Sequence, residues 1–422
     1  METKREPTRG HGPAPTSPFE EPVDKHGSHK DVLRNLAPNP LRGWATPEGT
    51  GRYAARHAAE PGHYRPALGL TLSSLGFGSY LGKTGKAARA AYQEAALHAL
   101  QHGVNVLDTA PNYRDQASER DLGHALWHFQ EAGGRRDEVF VVTKAGFLHG
   151  DADVPDSDAW FDAEYLDHRD PVLQKGDVLS GHSLAPRFVR HQLDRSRRNL
   201  GVETVDALLL HNPEHLLEWG VGEDEFYAKV EAAFYVLEEA VELGHLRFYG
   251  VGTWDGLRQA PGEKGHLSLV KLVHHAGQAR MKLDKAVGRA PKAGDHHFRV
   301  LELPVNLAMT EAALRPTQPF RFGAQTVLQA AKDLGMLVLA SASLVQMRVA
   351  GRVPPEYKEA LGTVGDAETA LQFTRSVPGV TTALVGMGDP AHAQANVGFA
   401  TSRKPDAASV KTLLGTGSIH GA

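Results

Sequence analysis

Eight short apolar runs, separated by helical patterns, constrain this chain more than any other feature. They are "LSSLGFG" (72–78), "VNVLDT" (104–109), "VFVVTK" (139–144), "VDALLLH" (205–211), "RFYGVGT" (247–253), "RVLELP" (299–304), "MLVLAS" (336–341) and "TTALVG" (381–386). Each is six or seven residues of mostly apolar character, as expected of strands covered on both faces. The segments between them carry helix signals. "AARAAYQEAALHALQHG" (87–103) ends at Gly103, and "QTVLQAAKDLG" (325–335) ends at Gly335, a residue type that suits the left-handed stop of a helix. "SLAPRFVRHQLDRSRRNLG" places Leu184, Phe188 and Leu200 on a broadly common side, with Ser183 as N-cap. "EFYAKVEAAFYVLEEAVELG" repeats Phe226, Val230, Phe234, Leu237 and Val241 before Gly244. This alternation predicts a closed (β/α)8 barrel. A doubly wound open sheet is the rival, but eight covered strands exceed the usual open sheet.

The 422 residues suffice for one large domain with a core that needs no staples. There are no cysteines, which excludes disulfides, thiolate metal sites and cysteine nucleophiles. The 46 basic and 50 acidic residues nearly balance, so nothing points to nucleic acid or a membrane surface. Residues 1–30 are polar and proline-rich without an apolar h-region, the composition of a disordered tail rather than a signal peptide. No run of about 18 apolar residues occurs, and a cytoplasmic protein is the expectation.

The predicted organisation is a tail (1–30), an arm or cap (31–65), the barrel (66–400) and a C-terminal tail (401–422). Two insertions are expected in the barrel, at about 147–182 and 256–298. The second reads as an elongated helix pair on the outside. The first leaves the C-terminal face and holds Trp160, Phe161 and Tyr165 among acids. It has two readings: a cover for the pocket, or an exposed loop that packs its own aromatics.

Polar residues at the C-terminal ends of barrel strands face the mouth where active sites form. Asp108 ends the second run, Lys144 the third and His211 the fourth, and Tyr113 follows the second. A lone lysine or histidine there would be an ordinary structural residue; four complementary groups on three neighbouring strands suggest chemistry. A phenol with a reference pKa near 10 is a poor proton donor at neutral pH. A nearby ammonium lowers that value, and a carboxylate holds the ammonium in place. A histidine can bind the substrate oxygen or relay the proton. The set suits proton transfer to a carbonyl oxygen, and the electrons must come from a cofactor.

The stretches "SSLGFGSYLG", "GVNVLDTAPNYRDQASERDLGHAL", "VFVVTK", "QLDRSRRNLGVETVDALLLHNPE", "GHLRFYGVGT" and "GVTTALVGMGDPAHAQAN" together resemble the aldo-keto reductase superfamily over roughly residues 66–400. The resemblance implies a barrel that reduces aldehydes or ketones with NADP(H), and a catalytic tetrad of Asp108, Tyr113, Lys144 and His211. It places cofactor contacts at Gly78, Ser79, Tyr80, Asp108, His211, Thr253, Glu302, Ser341, Leu344, Gly386, Met387, Gly388, His392 and Asn396. Several of these depart from the family pattern. Gly252 and Thr253 stand for a Ser-Asn pair that grips the nicotinamide amide, Glu302 for a glutamine, and Ser341 for a stacking aromatic. Gly386, Met387 and His392 stand for the side chains that bind the 2′-phosphate, and Ala395 for a glutamate beside Asn396. NADP is therefore the nominal cofactor, with NAD accepted comparably, and Arg348 or Lys404 are the cations left to reach a phosphate. The alternative function is a cofactor-bound regulatory or scaffolding subunit with little turnover. The expected partner is a small carbonyl substrate, with homo-oligomerisation open.

Three lookalikes fail on context. "GFGSYLG" (76–82) has its third glycine one place late for a dinucleotide fingerprint, and no acid closes the next strand. "HNPEH" (211–215) resembles a zinc motif, but His211 ends a strand and Pro213 separates the histidines, so no metal is expected. No G-x-S-x-G elbow occurs.

Overall fold

The computed structural model describes residues 40–167, 169–320, 323–344 and 351–415. The expected 1–30 tail and Arg348 lie outside them. A two-stranded antiparallel hairpin, β1 (Tyr64–Ala67) and β2 (Leu70–Ser73), precedes the barrel. Its two turn residues, Leu68 and Gly69, both take positive φ, the geometry that matches the twist of a tight hairpin. The barrel consists of β3 (Leu75–Gly78), β4 (Val106–Asp108), β5 (Phe140–Ala145), β6 (Val205–His211), β7 (Leu246–Gly252), β8 (Phe298–Pro304), β11 (Leu337–Ser341) and β12 (Thr382–Gly386). All neighbours are parallel and β12 closes onto β3. A small hairpin of β9 (Gln318–Phe320) and β10 (Gly323–Gln325) leaves the mouth after β8.

The eight apolar runs thus become the eight barrel strands, with one change. The first run, 72–78, is shared between β2 and β3. Asn105 divides it: its amide oxygen accepts from the Ser73 N–H at 2.8 Å, and its nitrogen donates to the Thr71 carbonyl.

Alternation along the strands separates two cores. Val106, Phe140, Val142, Ala207, Leu209, Val300, Leu337 and Leu339 form a cluster inside the barrel, floored by Leu70 and Leu72 of the hairpin. Val141, Leu208, Leu210, Leu301, Val338 and Ala340 face outward and join the core beneath the helices. At β7 the barrel is tight enough that a Cβ on Gly250 would sit 1.7 Å from the Val300 carbonyl oxygen, so only glycine fits.

Helices at Lys86–Gln101, Ala117–Glu131, Pro186–Leu200, Glu223–Glu242, Leu269–Ala286, Val327–Asp333, Asp366–Ser376 and Pro390–Ser402 connect successive strands or follow the last. Pro186 opens its helix at the first position, where proline is favoured, and Ala185 rather than Ser183 occupies the N-cap. Ser183 accepts from the Ala185 N–H just upstream. The stretch 256–298 holds one long helix, Leu269–Ala286, not a pair. It is the ordinary crossover from β7 to β8, lengthened by the loops on either side. Within 401–422, a helix at Ala407–Gly415 buries Val410 and Leu413 in the main core. Among the described residues, no helix is long and apolar enough to cross a membrane.

The arm seals the barrel's lower end. The helix Pro47–Arg56 is capped by Thr46, whose hydroxyl accepts from the Gly49 N–H at 2.9 Å. Tyr53 is fully buried and donates to the Leu100 carbonyl at 2.6 Å. The buried carboxylate of Asp206 accepts from the Ala45 N–H (2.7 Å), the Val141 N–H (2.9 Å) and the Arg136 guanidinium (2.6 Å). Removing one partner of a buried pair strands the other charge. Asp206→Ala should therefore cost about 3–5 kcal/mol of unfolding free energy, read by urea denaturation.

Candidate active site

Inward parity carries from the barrel core straight into the mouth. Residues 106, 140, 142, 207, 209 and 300 point into the barrel. Two residues on, the same side of each strand presents Asp108, Lys144, His211 and Glu302. All four are buried, as is Tyr113. Gly252 of β7 leaves the space beside them free: a Cβ there would lie 3.5 Å from Cε of Lys144.

The Lys144 ammonium donates to Oδ1 of Asp108 and to the Thr109 carbonyl at 3.2 Å, and lies 3.0 Å from Oε2 of Glu302. It sits 5.1 Å from the centre of the Tyr113 ring. The His211 ring meets Tyr113 edge-on at 5.7 Å. Burial, reinforced by the Lys144 charge, pushes the His211 pKa well below its ordinary value and keeps the imidazole neutral. Burial pushes the Tyr113 phenol up, against the pull of Lys144 and with help from Asp108 and Glu302. The lysine thus acts in the expected direction without winning. The resulting site has a protonated phenol, a charged ammonium and a neutral imidazole at one point.

The turn that presents Tyr113 is strained. Arg114, Asp115 and Gln116 all take positive φ (51°, 47° and 70°), which costs side-chain-bearing residues energy at each step. Surrounding contacts hold it. The Arg114 guanidinium lies 3.9 Å from the centre of the Tyr92 ring and donates to Ser118, to the Lys83 carbonyl and to Asp121. Ser118 donates to the Ser79 carbonyl at 2.7 Å, and Glu119 accepts from Thr143 at 2.6 Å and Asn199 at 2.8 Å. The Ser-Glu of the "DTAPNYRDQASER" stretch therefore bolts the tyrosine turn to β3, β5 and the Pro186–Leu200 helix.

The remaining expected contacts fall into two groups. Gly78 lies between Asp108 on β4 and Gly386 on β12. Ser79 is buried beside it with an unpartnered hydroxyl. Tyr80 is exposed and meets Tyr113 edge-on at 5.0 Å. Ser341 and Leu344 line the rim at the end of β11, both partly exposed. Others are committed elsewhere. The Thr253 hydroxyl donates to buried Glu214 at 2.5 Å, whose same oxygen also accepts from the Trp254 N–H. Glu302 faces Lys144, and the Met387 side chain is fully buried in the core. A Cβ on Gly388 would sit 2.2 Å from the Tyr92 ring.

After β12 the backbone enters the Pro390–Ser402 helix. Asp389 caps it, accepting from the Ala391 and His392 N–H groups. His392 is exposed in the first turn and Asn396 is half-buried one turn on. Lys404 follows the far end of this helix, about 20 Å from its start at 1.5 Å per residue, and cannot serve its N-terminus.

Phe147 carries no distinguishing mark in the sequence. Its ring meets His211 at 4.9 Å, His182 at 5.0 Å and His215 at 5.8 Å, forming one wall of the site. His182 in turn hydrogen-bonds the His211 carbonyl at 2.7 Å. These two residues bound the 147–182 loop. In its middle, Tyr165 at the end of the helix Ser157–Tyr165 packs with Val172, Leu173 and, from the neighbouring helix, Phe188. The loop thus packs its own aromatics in the middle and meets His211 through Phe147 and His182 at its two ends.

The sequence model of the Aldo/keto reductase family matches residues 74–272, which contain Asp108, Tyr113, Lys144 and His211. Over that stretch, a little under half of the chain, the protein is similar to the aldo-keto reductase family. Among curated aldo-keto reductase relatives, the D-threo-aldose 1-dehydrogenase of a Pseudomonas species is 28% identical over 193 residues, 44% of this chain and 52% of that protein. The NADH-specific methylglyoxal reductase of Escherichia coli is 26% identical over 192 residues, 44% of this chain and 50% of that one. The matched stretch spans about half the length of these relatives. Among solved structures, the glycerol dehydrogenase AKR11B4 of Gluconobacter oxydans superposes with a TM-score of 0.54 at 17% identity, covering 84% of this chain and 95% of that one. An aldo/keto reductase of Klebsiella pneumoniae, solved with NADP and acetate, gives 0.52 at 17% identity, covering 82% and 91%. At these identities the structural likeness shows the fold.

Proposed function

We propose that the chain is an NAD(P)H-dependent carbonyl reductase with Tyr113 as general acid. The observation that carries this reading is the clustering of Tyr113, the Lys144 ammonium and the neutral His211 ring, all buried, at the barrel mouth. The match to the family model over residues 74–272 and relatives named for aldose and methylglyoxal chemistry support it. The substrate class is small aldehydes and ketones.

The residues fit a nicotinamide cofactor at the mouth. Gly78 and the unpartnered Ser79 hydroxyl adjoin Asp108, and Gly386 has nothing within 4 Å of where a Cβ would stand. A bound nicotinamide supplies hydride to the carbonyl carbon. The chain's own groups do the rest. His211, held neutral, donates a hydrogen bond to the carbonyl oxygen, and Tyr113 delivers the proton to it. Lys144 stabilises the phenolate left behind. A phenol kept protonated favours reduction over alcohol oxidation.

The rival reading, a cofactor-bound subunit with little turnover, draws on the commitment of Thr253 to Glu214. Against it stands the buried Asp108–Lys144 pair at the mouth, since burying charge without a use is costly. The reading includes a cytoplasmic location, where NAD(P)H is supplied.

Tyr113→Phe keeps the ring and loses the proton. Reduction of a good substrate from a panel of aldoses and methylglyoxal should fall about 10²- to 10⁴-fold with cofactor dissociation constants nearly unchanged. Full activity in this variant would remove Tyr113 from its role.

Cofactor choice follows from the Pro390–Ser402 helix, whose first turn bears His392 and no lysine or arginine, while Asp389 adds a negative charge. NADPH remains the nominal cofactor, but fluorescence titration should give NADPH and NADH dissociation constants within about 100-fold, or about 2.7 kcal/mol. A wider gap would reveal a strong phosphate contact.

A further inference from the structure

Glu302 has no part in the proton transfer just described, yet it lies in the same buried cluster. Its carboxylate and that of Asp108 both form their ion pairs with Lys144. Among the described residues, the other groups facing the cluster are Tyr113 and the neutral His211, together with the Thr109 carbonyl and side-chain-free Gly252. None supplies a second positive charge. Two carboxylates against one ammonium leave a net negative charge in a buried site, which is costly. Oε2 of Glu302 accepts no well-aligned hydrogen bond although the ammonium is 3.0 Å away. Both carboxylates approach the same ammonium nitrogen, which brings the two acids close together. Such proximity is repulsive between two carboxylates and relieved when one is protonated.

We propose that Asp108 and Glu302 share one proton, and that this carboxyl–carboxylate pair sets the charge that Tyr113 meets. With the proton present the pair balances Lys144 and the cluster is neutral. Burial and the neighbouring Glu302 charge raise the Asp108 pKa well above the carboxylate range, against the pull of Lys144. When rising pH removes the shared proton, the cluster gains a negative charge. That charge opposes formation of the Tyr113 phenolate, so reduction slows. Glu302 is thus a positioning residue, acting on Tyr113 through Lys144 and Asp108. The kinetic half of this proposal rests on the reductase reading; the shared proton does not.

The test uses Glu302→Gln, which keeps shape and removes one acid. Infrared difference spectra of the cofactor-free wild type minus this variant at pH about 7 should show the carbonyl band of a protonated carboxylic acid, shifted in heavy water. The subtraction removes the bands of Glu119 and Glu214, whose pKa values burial also raises. A difference spectrum without that band overturns the shared proton whatever the enzyme's activity. In kinetics, the alkaline fall of kcat for carbonyl reduction should move up by about one pH unit or more in the variant, roughly a tenfold change in proton affinity. An alkaline limb identical in the two proteins overturns the link to Tyr113. Absence of turnover in the wild type would refute the reductase reading and leave the infrared result standing.

Discussion

A buried ammonium at the barrel mouth organises the rest of this structure. Lys144 is almost wholly removed from solvent, and an unneutralised ammonium in such a place would surrender its proton. It keeps the proton because Asp108 and Glu302 flank it, and its pKa is raised well above the ordinary lysine value. The strands that bring these groups together can do so only because the barrel is closed. Asp108 on β4, Lys144 on β5 and Glu302 on β8 meet across its interior. The charged lysine eases formation of the Tyr113 phenolate without overcoming burial, and adds to the burial that keeps His211 neutral. The electrostatics of the mouth form one coupled system.

The barrel was legible because its signal is repetitive. Eight runs with helices between them admit few topologies, and strand parity leads from Val142 to Lys144 and from Leu209 to His211. The proposed catalytic groups were legible for the same reason, since Asp108, Lys144 and His211 each lie at the end of an apolar run and Tyr113 follows one. What lay beyond reach depends on three-dimensional approach. Glu302 reads as a substituted amide-binding residue until the closed barrel shows Lys144 at 3.0 Å. Thr253 reads as a free hydroxyl until Glu214 is seen to accept from it. The left-handed run at Arg114–Gln116 has neither glycine nor asparagine to betray it, because tertiary contacts rather than local preference hold the turn. The stretch 256–298 reads as a helix pair in sequence, whereas the chain spends its length on loops around the single helix Leu269–Ala286.

Two ends of the site have different characters. The mouth around Tyr113 is dense with committed hydrogen bonds and suits chemistry that must exclude water. The start of the Pro390–Ser402 helix offers backbone amides and a carboxylate cap but no basic side chain, so the grip expected on a phosphate is thin there. The 147–182 loop stands between these roles. Phe147 and His182 at its ends wall His211, while its centre is anchored on the flank of the barrel.

The proposed reaction is direct hydride transfer to a carbonyl carbon with the proton supplied by the protein. Its most direct test is reduction of a small aldehyde with NADPH or NADH carrying deuterium at the transferred position of the nicotinamide. The account predicts one deuterium on the carbinol carbon of each product molecule, with the hydroxyl hydrogen drawn from solvent through Tyr113. A product whose new carbon-bound hydrogen comes from water, or a cofactor that binds and is never oxidised by any carbonyl offered, would contradict it.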